Sequence, residues 1–187
     1  MLPGSLDHYR WMARYNAWFN QRLYDACEKI DDAARKRDSG AFFGSIHNTL
    51  NHLIVADQIW LQRLYQCGLD NGFQAAALSP HVLDLAPGHG LAEPAFADWA
   101  PLRAKRRQLD DAISLWLAAM PPAFPGFTMR YANTKGVHRE HPAWRAMAHF
   151  FNHQTHHRGQ VTTLLMQSGV DVGVTDLVAL LGPDDPV

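Results

Sequence analysis

Residues 141–169, HPAWRAMAHFFNHQTHHRGQVTTLLMQSG, predict one long helix that carries four histidines near its middle. Apolar residues recur at helical spacing along this segment, as expected for a face that packs against a core. Pro142 suits the first turn and Gly169 suits the C-terminal end. At about 100° per residue the four histidines fall within an arc of roughly 100°. The segment therefore bears on both the fold and the function.

The rest of the chain predicts three more long helices, separated by long connections. Helical periodicity runs through residues 5–30, 44–68 and 97–120. In the second of these, Ser45 is a favourable N-cap and Gly68 is the expected C-terminal stop. Four long helices joined by long connections indicate an all-α fold of the helical-bundle type.

The connections predict little regular structure. Residues 31–40 contribute at most one helical turn, and the Gly- and Pro-rich residues 69–94 predict a long loop with at most a short helix. Residues 127–141 predict a small hairpin-like excursion around the sequence NTKG. A short last helix is expected over residues 174–182, with Thr175 as its cap.

Composition and charge narrow the class of protein. The chain has 187 residues, of which 47% are hydrophobic and 19% are charged, so residues 1–187 are predicted to form a single domain. A net charge of −1 favours neither a nucleic acid nor an anionic membrane surface as a partner. The chain lacks an apolar stretch of membrane-spanning length, a signal-peptide pattern and a disulfide framework, so the expected location is the cytoplasm.

The histidines favour a metal site. His149 and His153 are four residues apart, and so are His153 and His157, so His153 belongs to both pairs. Imidazoles on adjacent turns converge easily on one ion. Apolar neighbours indicate that the helix is largely buried, and buried imidazoles need a metal or hydrogen-bond partners. The alternative is a polar helix face whose histidines are satisfied independently.

A third ligand has two candidates on the second helix, His47 and His52. Five residues separate them, so their side chains point about 140° apart and do not both serve one ion. The apolar stripe mildly favours His47, and periodicity does not select His52. The remaining histidines are predicted to be surface or capping residues: His8, His81, His89, His138 and His141.

Other metal chemistries fit the sequence poorly. A ferritin-like di-iron site needs several inward glutamates and E-x-x-H pairs, whereas this chain has three glutamates and lacks that motif. The H-E-x-x-H motif is absent, and Cys27 and Cys67 do not have zinc-finger spacing. Of the metal sites considered in this paragraph, a three-histidine site fits the sequence best, and such a site keeps one coordination position open.

Four stretches together resemble the DinB family. They are YNAWFNQRLYD, FFGSIHNTLNHLIVADQIWLQR, HFFNHQTHHRGQVTTLL and GVDVGVTDLVALL, which follow one another in the right order over nearly the whole chain. The resemblance implies an up-down-down-up four-helix bundle, often a homodimer. It also implies a divalent metal ion held by three histidines, which by position are His52, His153 and His157. Zinc and nickel both suit imidazole ligands.

The resemblance changes what is expected of the residues near the site. His149 and His156 become pocket residues rather than ligands. Asp57 is expected to pair with an arginine or to orient a histidine, and the alternative is a helix-surface residue or a buried structural ion pair. Arg158 and Gln160 either contact an anionic substrate or lie on the helix exterior. Asn16 is the polar residue of the first helix that is a candidate for a functional role.

The resemblance also implies candidate functions. The first is a metal-dependent transferase whose small-molecule partner is a low-molecular-weight thiol, activated as its thiolate. The alternatives are a metal-dependent hydrolase and a non-catalytic, stress-related bundle in which the ion ties two helices together. Neither the substrate nor an acid–base residue is evident in the sequence.

Overall fold

The computed structural model describes residues 5–133 and 135–181, and this part of the chain is mostly helical. Two antiparallel strands, β1 (Thr128–Ala132) and β2 (His138–Pro142), form a hairpin. The α-helices of this part are α1 (Ser5–Cys27), α2 (Asp32–Lys36), α3 (Ile46–Asp70), α4 (Trp99–Ala119) and α5 (Ala143–Gln167). A helical fold with one small hairpin is as predicted. Thr134 of the predicted turn and Gly182 of the predicted last helix lie outside the described residues.

The four long helices pack on one another. α1 lies against α4 and α5, and α3 lies against α5 and α4. Their apolar faces meet in one core, in which the side chains of Leu23, Leu50, Trp116 and Phe150 are almost completely buried. Burial of each such side chain contributes about 1.5–3 kcal/mol. Burial of these apolar side chains therefore holds α3 against α5.

Two of the predicted helix ends are confirmed. The Ser45 hydroxyl accepts a hydrogen bond from the Asn48 N–H at 3.1 Å, which caps α3. Gly169 follows the end of α5 with a φ of +79°, a conformation that favours glycine. Thr175 is not a cap: the last element is a short 3-10 helix, Leu177–Leu180, which begins after Asp176 without a side-chain cap.

The predicted stop at Gly68 is wrong, because α3 continues to Asp70. Gly68 instead allows the chain to fold back closely. A Cβ at this position would lie 2.6 Å from the Phe73 carbonyl oxygen. The Gly68 carbonyl accepts from the Asn71 and Phe73 N–H groups after the helix. The glycine signals a backbone contact here rather than a helix end.

The long connection between α3 and α4 is fastened along α3. It contains the 3-10 helix Ala76–Leu78, in agreement with the predicted long loop with a short helix. The Asn51 side chain accepts from the Phe96 N–H and donates to the Phe96 carbonyl, while the Gln58 side chain accepts from the Leu85 N–H. These bonds satisfy loop backbone groups and fix the loop beside α3.

A buried polar network joins α1, α3 and α4. The Arg106 guanidinium of α4 pairs with Asp57 of α3 at 2.6 Å and with Asp110 at 2.9 Å. Asp110 also accepts from the Asn20 amide of α1 at 2.9 Å. Asp57 therefore pairs with an arginine in a buried ion pair, which is among its predicted roles. Groups this deeply buried need their partners, so the network fixes the relative positions of the helices.

Within residues 5–133 and 135–181, none of the helices combines the length with the apolar character that crossing a bilayer requires.

Candidate metal centre

Three histidines from two helices meet at one point. His52 lies in the second turn of α3, and His153 and His157 lie on adjacent turns of α5. One ring nitrogen from each lies within 4.8 Å of those from the other two. His52 and His157 are buried and His153 is half-buried. The packing of α3 on α5 thus brings together the three residues that the family resemblance singled out.

The protonation of two rings is fixed by carbonyl oxygens. The Leu91 carbonyl lies 2.8 Å from His52 Nδ1, and the Gln160 side-chain oxygen lies 2.7 Å from His157 Nδ1. A carbonyl oxygen only accepts, so Nδ1 carries the proton in both rings. The Nε2 atom of each neutral ring is therefore bare. Partners of this kind orient histidines that bind metals.

Both bare nitrogens face the third histidine. His52 Nε2 and His157 Nε2 each lie 3.1 Å from His153 Nε2. A single proton on His153 Nε2 makes a good hydrogen bond to only one of them, which leaves a repulsive contact with the other. A shared cation satisfies all three. Nitrogens that bind a tetrahedral ion at about 2.1 Å lie about 3.4 Å apart, close to the separation seen here. The donor set therefore fits a divalent metal ion.

Burial keeps the three rings neutral, which is the form that binds metal. Burial lowers the pKa of His52 and of His157. The pKa of His153 is lowered to about 3, first by burial and then by the neighbouring imidazoles, chiefly His157 and His52. At neutral pH all three present lone pairs rather than charges.

An aromatic ring covers one side of the trio. The Phe43 ring stacks on His52, with 4.0 Å between ring centroids, and lies 5.5 Å from His157. Phe43 belongs to a tight turn that precedes α3, in which Gly44 has a φ of +77°. The ring excludes water from this side and restrains His52.

The other side opens into a cavity of about 270 Å³. His52 and His153 line it together with apolar, aromatic and polar groups from α3, α5, the long loop and the hairpin: Ala56, Ile59, Trp60, Arg63, Leu91, Tyr131, Asn133 and His149. A cavity of this size beside the histidines admits a small organic molecule.

Two known sequence groupings are similar to this chain, a family model and one curated protein. The family model described as "DinB family" matches residues 6–184. The chain belongs to the DinB family. The "Protein DinB" of Bacillus subtilis (strain 168) is similar, with 21% identity over 170 residues that cover 87% of each chain. No solved structure matches the chain.

Among the described residues of this DinB family protein, only the trio brings histidine nitrogens together, although the rings of His149 and His156 pack against His153 and His157 with 5.6 and 4.8 Å between centroids. His47, which the apolar stripe favoured, is turned away: its Nε2 lies 2.9 Å from the Phe96 carbonyl oxygen. The His149 ring packs on Trp60 in the cavity wall, with 4.9 Å between centroids. His156 is exposed, and its Nε2 lies 3.3 Å from the Gln160 amide nitrogen.

Neither expectation for Arg158 is correct. Arg158 is 1% exposed, so it reaches neither a substrate nor the exterior. Its guanidinium donates to the Asn16 side chain and lies over the rings of Tyr15 and Phe19. Asn16 thus has a structural partner. Gln160 is half-buried and, rather than meeting a substrate anion, bonds to the ring of His157.

Several residues of the centre were not expected from the sequence. Phe43, Leu91, Trp60 and Tyr131 come from a turn, a loop, a helix and a strand, and only the fold brings them together. The only local sequence feature that indicated the turn at Phe43 was Gly44, which stands directly before the helix cap Ser45. Leu91 acts through its backbone, so its side-chain type carries no signal.

Proposed function

We propose that this DinB family protein binds one divalent metal ion through His52, His153 and His157 and keeps one coordination position open for a ligand. The observation that carries the proposal is the pair of bare nitrogens that face His153 Nε2 at 3.1 Å. Burial and carbonyl partners maintain that arrangement. Zinc and nickel are the proposed ions, since both accept imidazole ligands.

The proposed activity is transfer to or from a low-molecular-weight thiol. A divalent ion with an open position lowers the pKa of a thiol that binds there, and the resulting thiolate is a strong nucleophile. The cavity supports an organic ligand over a closed structural site, because His52 and His153 form part of its wall. Phe43 would exclude water from one side while Trp60 and His149 shape the other.

The remaining proposals concern the whole molecule. The packing of α1 on α4 and α5, and of α3 on α5 and α4, supports an up-down-down-up bundle. Family resemblance supports a homodimer, which light scattering of the purified protein tests. A net charge of −1 supports a protein that binds neither nucleic acid nor a membrane surface, and the cytoplasm is the proposed location.

The metal proposal is tested by metal content. The wild type, His52→Ala, His153→Ala and His157→Ala are loaded with zinc, desalted and measured by mass spectrometry, with circular dichroism to check folding. His149→Ala and His156→Ala are matched controls from the same helix. The proposal predicts one zinc per chain in the wild type and controls and loss in each ligand variant. Full zinc content in any ligand variant contradicts it.

The activity proposal needs a separate assay. Metal-loaded protein is incubated with small thiols and an alkylating electrophile, and thiol consumption is compared with that of His153→Ala. Metal-dependent consumption supports the transferase. Metal-dependent hydrolysis of an ester without thiol consumption would favour a hydrolase, and inactivity with every thiol and ester in the panel would favour a non-catalytic metal-binding protein.

A further inference from the structure

One face of α3 runs from the histidine trio to an arginine. His52, Ala56, Ile59 and Arg63 lie on this face and line the same cavity. Arg63 is half-buried, and burial lowers its pKa. A half-buried arginine in a cavity wall loses part of its hydration, which a ligand of opposite charge replaces. The groups that contact Arg63 therefore indicate which class of ligand the cavity binds.

Two aromatic rings hold the guanidinium in place. Its central carbon lies 4.9 Å from the Trp60 ring centroid and 4.6 Å from that of Tyr131. The Tyr131 hydroxyl lies 3.2 Å from His141 Nε2, which restrains that ring in turn. Rings that contact the planar group by its faces leave the N–H groups at its edges for hydrogen bonding.

Most of that hydrogen-bonding capacity is left for a ligand. A guanidinium has five N–H donors, and one nitrogen, Nη2, donates to the Ala132 carbonyl at 3.1 Å. Within residues 5–133 and 135–181, no carboxylate lies within ion-pair distance of Arg63. Arg130, by contrast, lines the adjoining cavity and forms two hydrogen bonds with Glu140, at 3.0 and 3.2 Å. Arg63 thus offers a positioned cationic group.

We propose that Arg63 binds the carboxylate of a small organic ligand whose other end reaches the three-histidine site. This inference rests on the proposed function and specifies its substrate class: a thiol that carries a carboxylate. A guanidinium forms paired hydrogen bonds with a carboxylate. The apolar side chains between the two ends, Ala56, Ile59 and Leu91, suit a hydrocarbon or peptide linker.

The helix sets the length of that ligand. Eleven positions separate His52 from Arg63, which corresponds to about 16 Å of helix rise. Side chains of one helix lean toward its N-terminus, and the longer Arg63 leans further than His52, so the span is somewhat shorter than this rise, roughly 10–15 Å, of which the metal–sulfur bond and the hydrogen bond take about 5 Å. At about 3.5 Å per extended residue, the ligand has the length of a di- or tripeptide.

The first test uses cobalt-loaded protein and a series of thiols. Mercaptopropanoate, mercaptohexanoate and mercaptooctanoate, each with the mercapto-alcohol of the same length, are titrated while the sulfur-to-cobalt charge-transfer band is recorded. The two longer acids should bind about tenfold or more tightly than their alcohols, the usual effect of a charged hydrogen bond. Arg63→Gln should abolish this preference, Arg63→Lys should keep part of it, and Arg130→Gln should leave it unchanged.

The second test does not require a metal. In metal-free protein labelled with ¹⁵N, the Arg63 Nε–H resonance, assigned by its loss in Arg63→Gln, is followed during titration with hexanoate and with hexanol. The resonance should shift with hexanoate alone. If hexanoate shifts the resonance but the protein fails to bind cobalt in the first test, the metal site is refuted and the carboxylate site stands. Equal response to both probes, or equal affinity of acids and alcohols for the cobalt protein, would overturn the carboxylate site.

Discussion

Replacing Gln160 by methionine tests whether a hydrogen bond to His157 governs metal affinity. The Gln160 oxygen accepts from His157 Nδ1 at 2.7 Å, and His157 is only 8% exposed, so water replaces that acceptor poorly. Methionine keeps the length of the side chain and removes the acceptor. His157 then loses the contact that directs a bare Nε2 toward the ion. Loss of such partners weakens metal binding by about 10- to 100-fold, or about 1.4–2.7 kcal/mol.

The assay is competition for zinc against a chromophoric chelator. Gln160→Glu is the rescue variant because it keeps an acceptor beside Nδ1, and it should bind zinc at least as tightly as the wild type. His156→Ala removes the group at the other end of the Gln160 amide and should have little effect. If Gln160→Met binds zinc with wild-type affinity, the hydrogen bond does not orient a ligand and the reasoning is refuted.

Three further predictions concern stability. Arg106→Met leaves two buried carboxylates without their partner and should lower the free energy of unfolding by about 3–5 kcal/mol in urea. Gly68→Ala places a Cβ against a backbone oxygen and should cost about 1–3 kcal/mol, whereas Gly159→Ala meets nothing within 4 Å and should gain about 0.5–1 kcal/mol from helix propensity. Burial lowers the pKa of His47 in the folded protein. As pH falls below about 6.5, the unfolded state therefore takes up a proton at His47 before the folded state does, and stability is lost. In metal-free protein, His47→Gln should reduce this acid-side loss of stability by up to about 1.4 kcal/mol per pH unit.

Each of these predictions has a contradicting outcome. A near-neutral Arg106→Met would mean that the network contributes little. Equal effects of the two glycine substitutions would mean that the Phe73 contact relaxes freely. An unchanged pH slope in His47→Gln, measured by urea unfolding between neutral and acid pH, would mean that the proton uptake occurs elsewhere.

Periodicity predicted the helices and the hairpin well, because each depends on local spacing of apolar and turn residues. It failed at Gly68, where a glycine is needed because the Phe73 backbone packs closely against it and not because the helix ends there. It failed again at Arg158, whose partners are on α1, far away in sequence. Contacts between helices distant in sequence cannot be deduced from the pattern of one helix.

The histidine site shows the same limit. His153 was evident from spacing alone because it belongs to two i, i+4 pairs. Periodicity could not choose between His47 and His52, because the first half of α3 is buried around most of its circumference and its apolar stripe has little meaning. Family resemblance selected His52, which the structure brings to His153. The cavity wall and Arg63 became evident only from the fold.

The central claim is that three histidines from two helices form an open metal site. X-ray absorption at the zinc edge of the fully loaded wild type tests it most directly. The account predicts three imidazole nitrogens at about 2.0–2.1 Å and one further light ligand, which a sulfur atom replaces at about 2.3 Å when a thiol is added. A spectrum with four protein ligands that does not change on addition of thiol, or with fewer than three imidazoles, would contradict it.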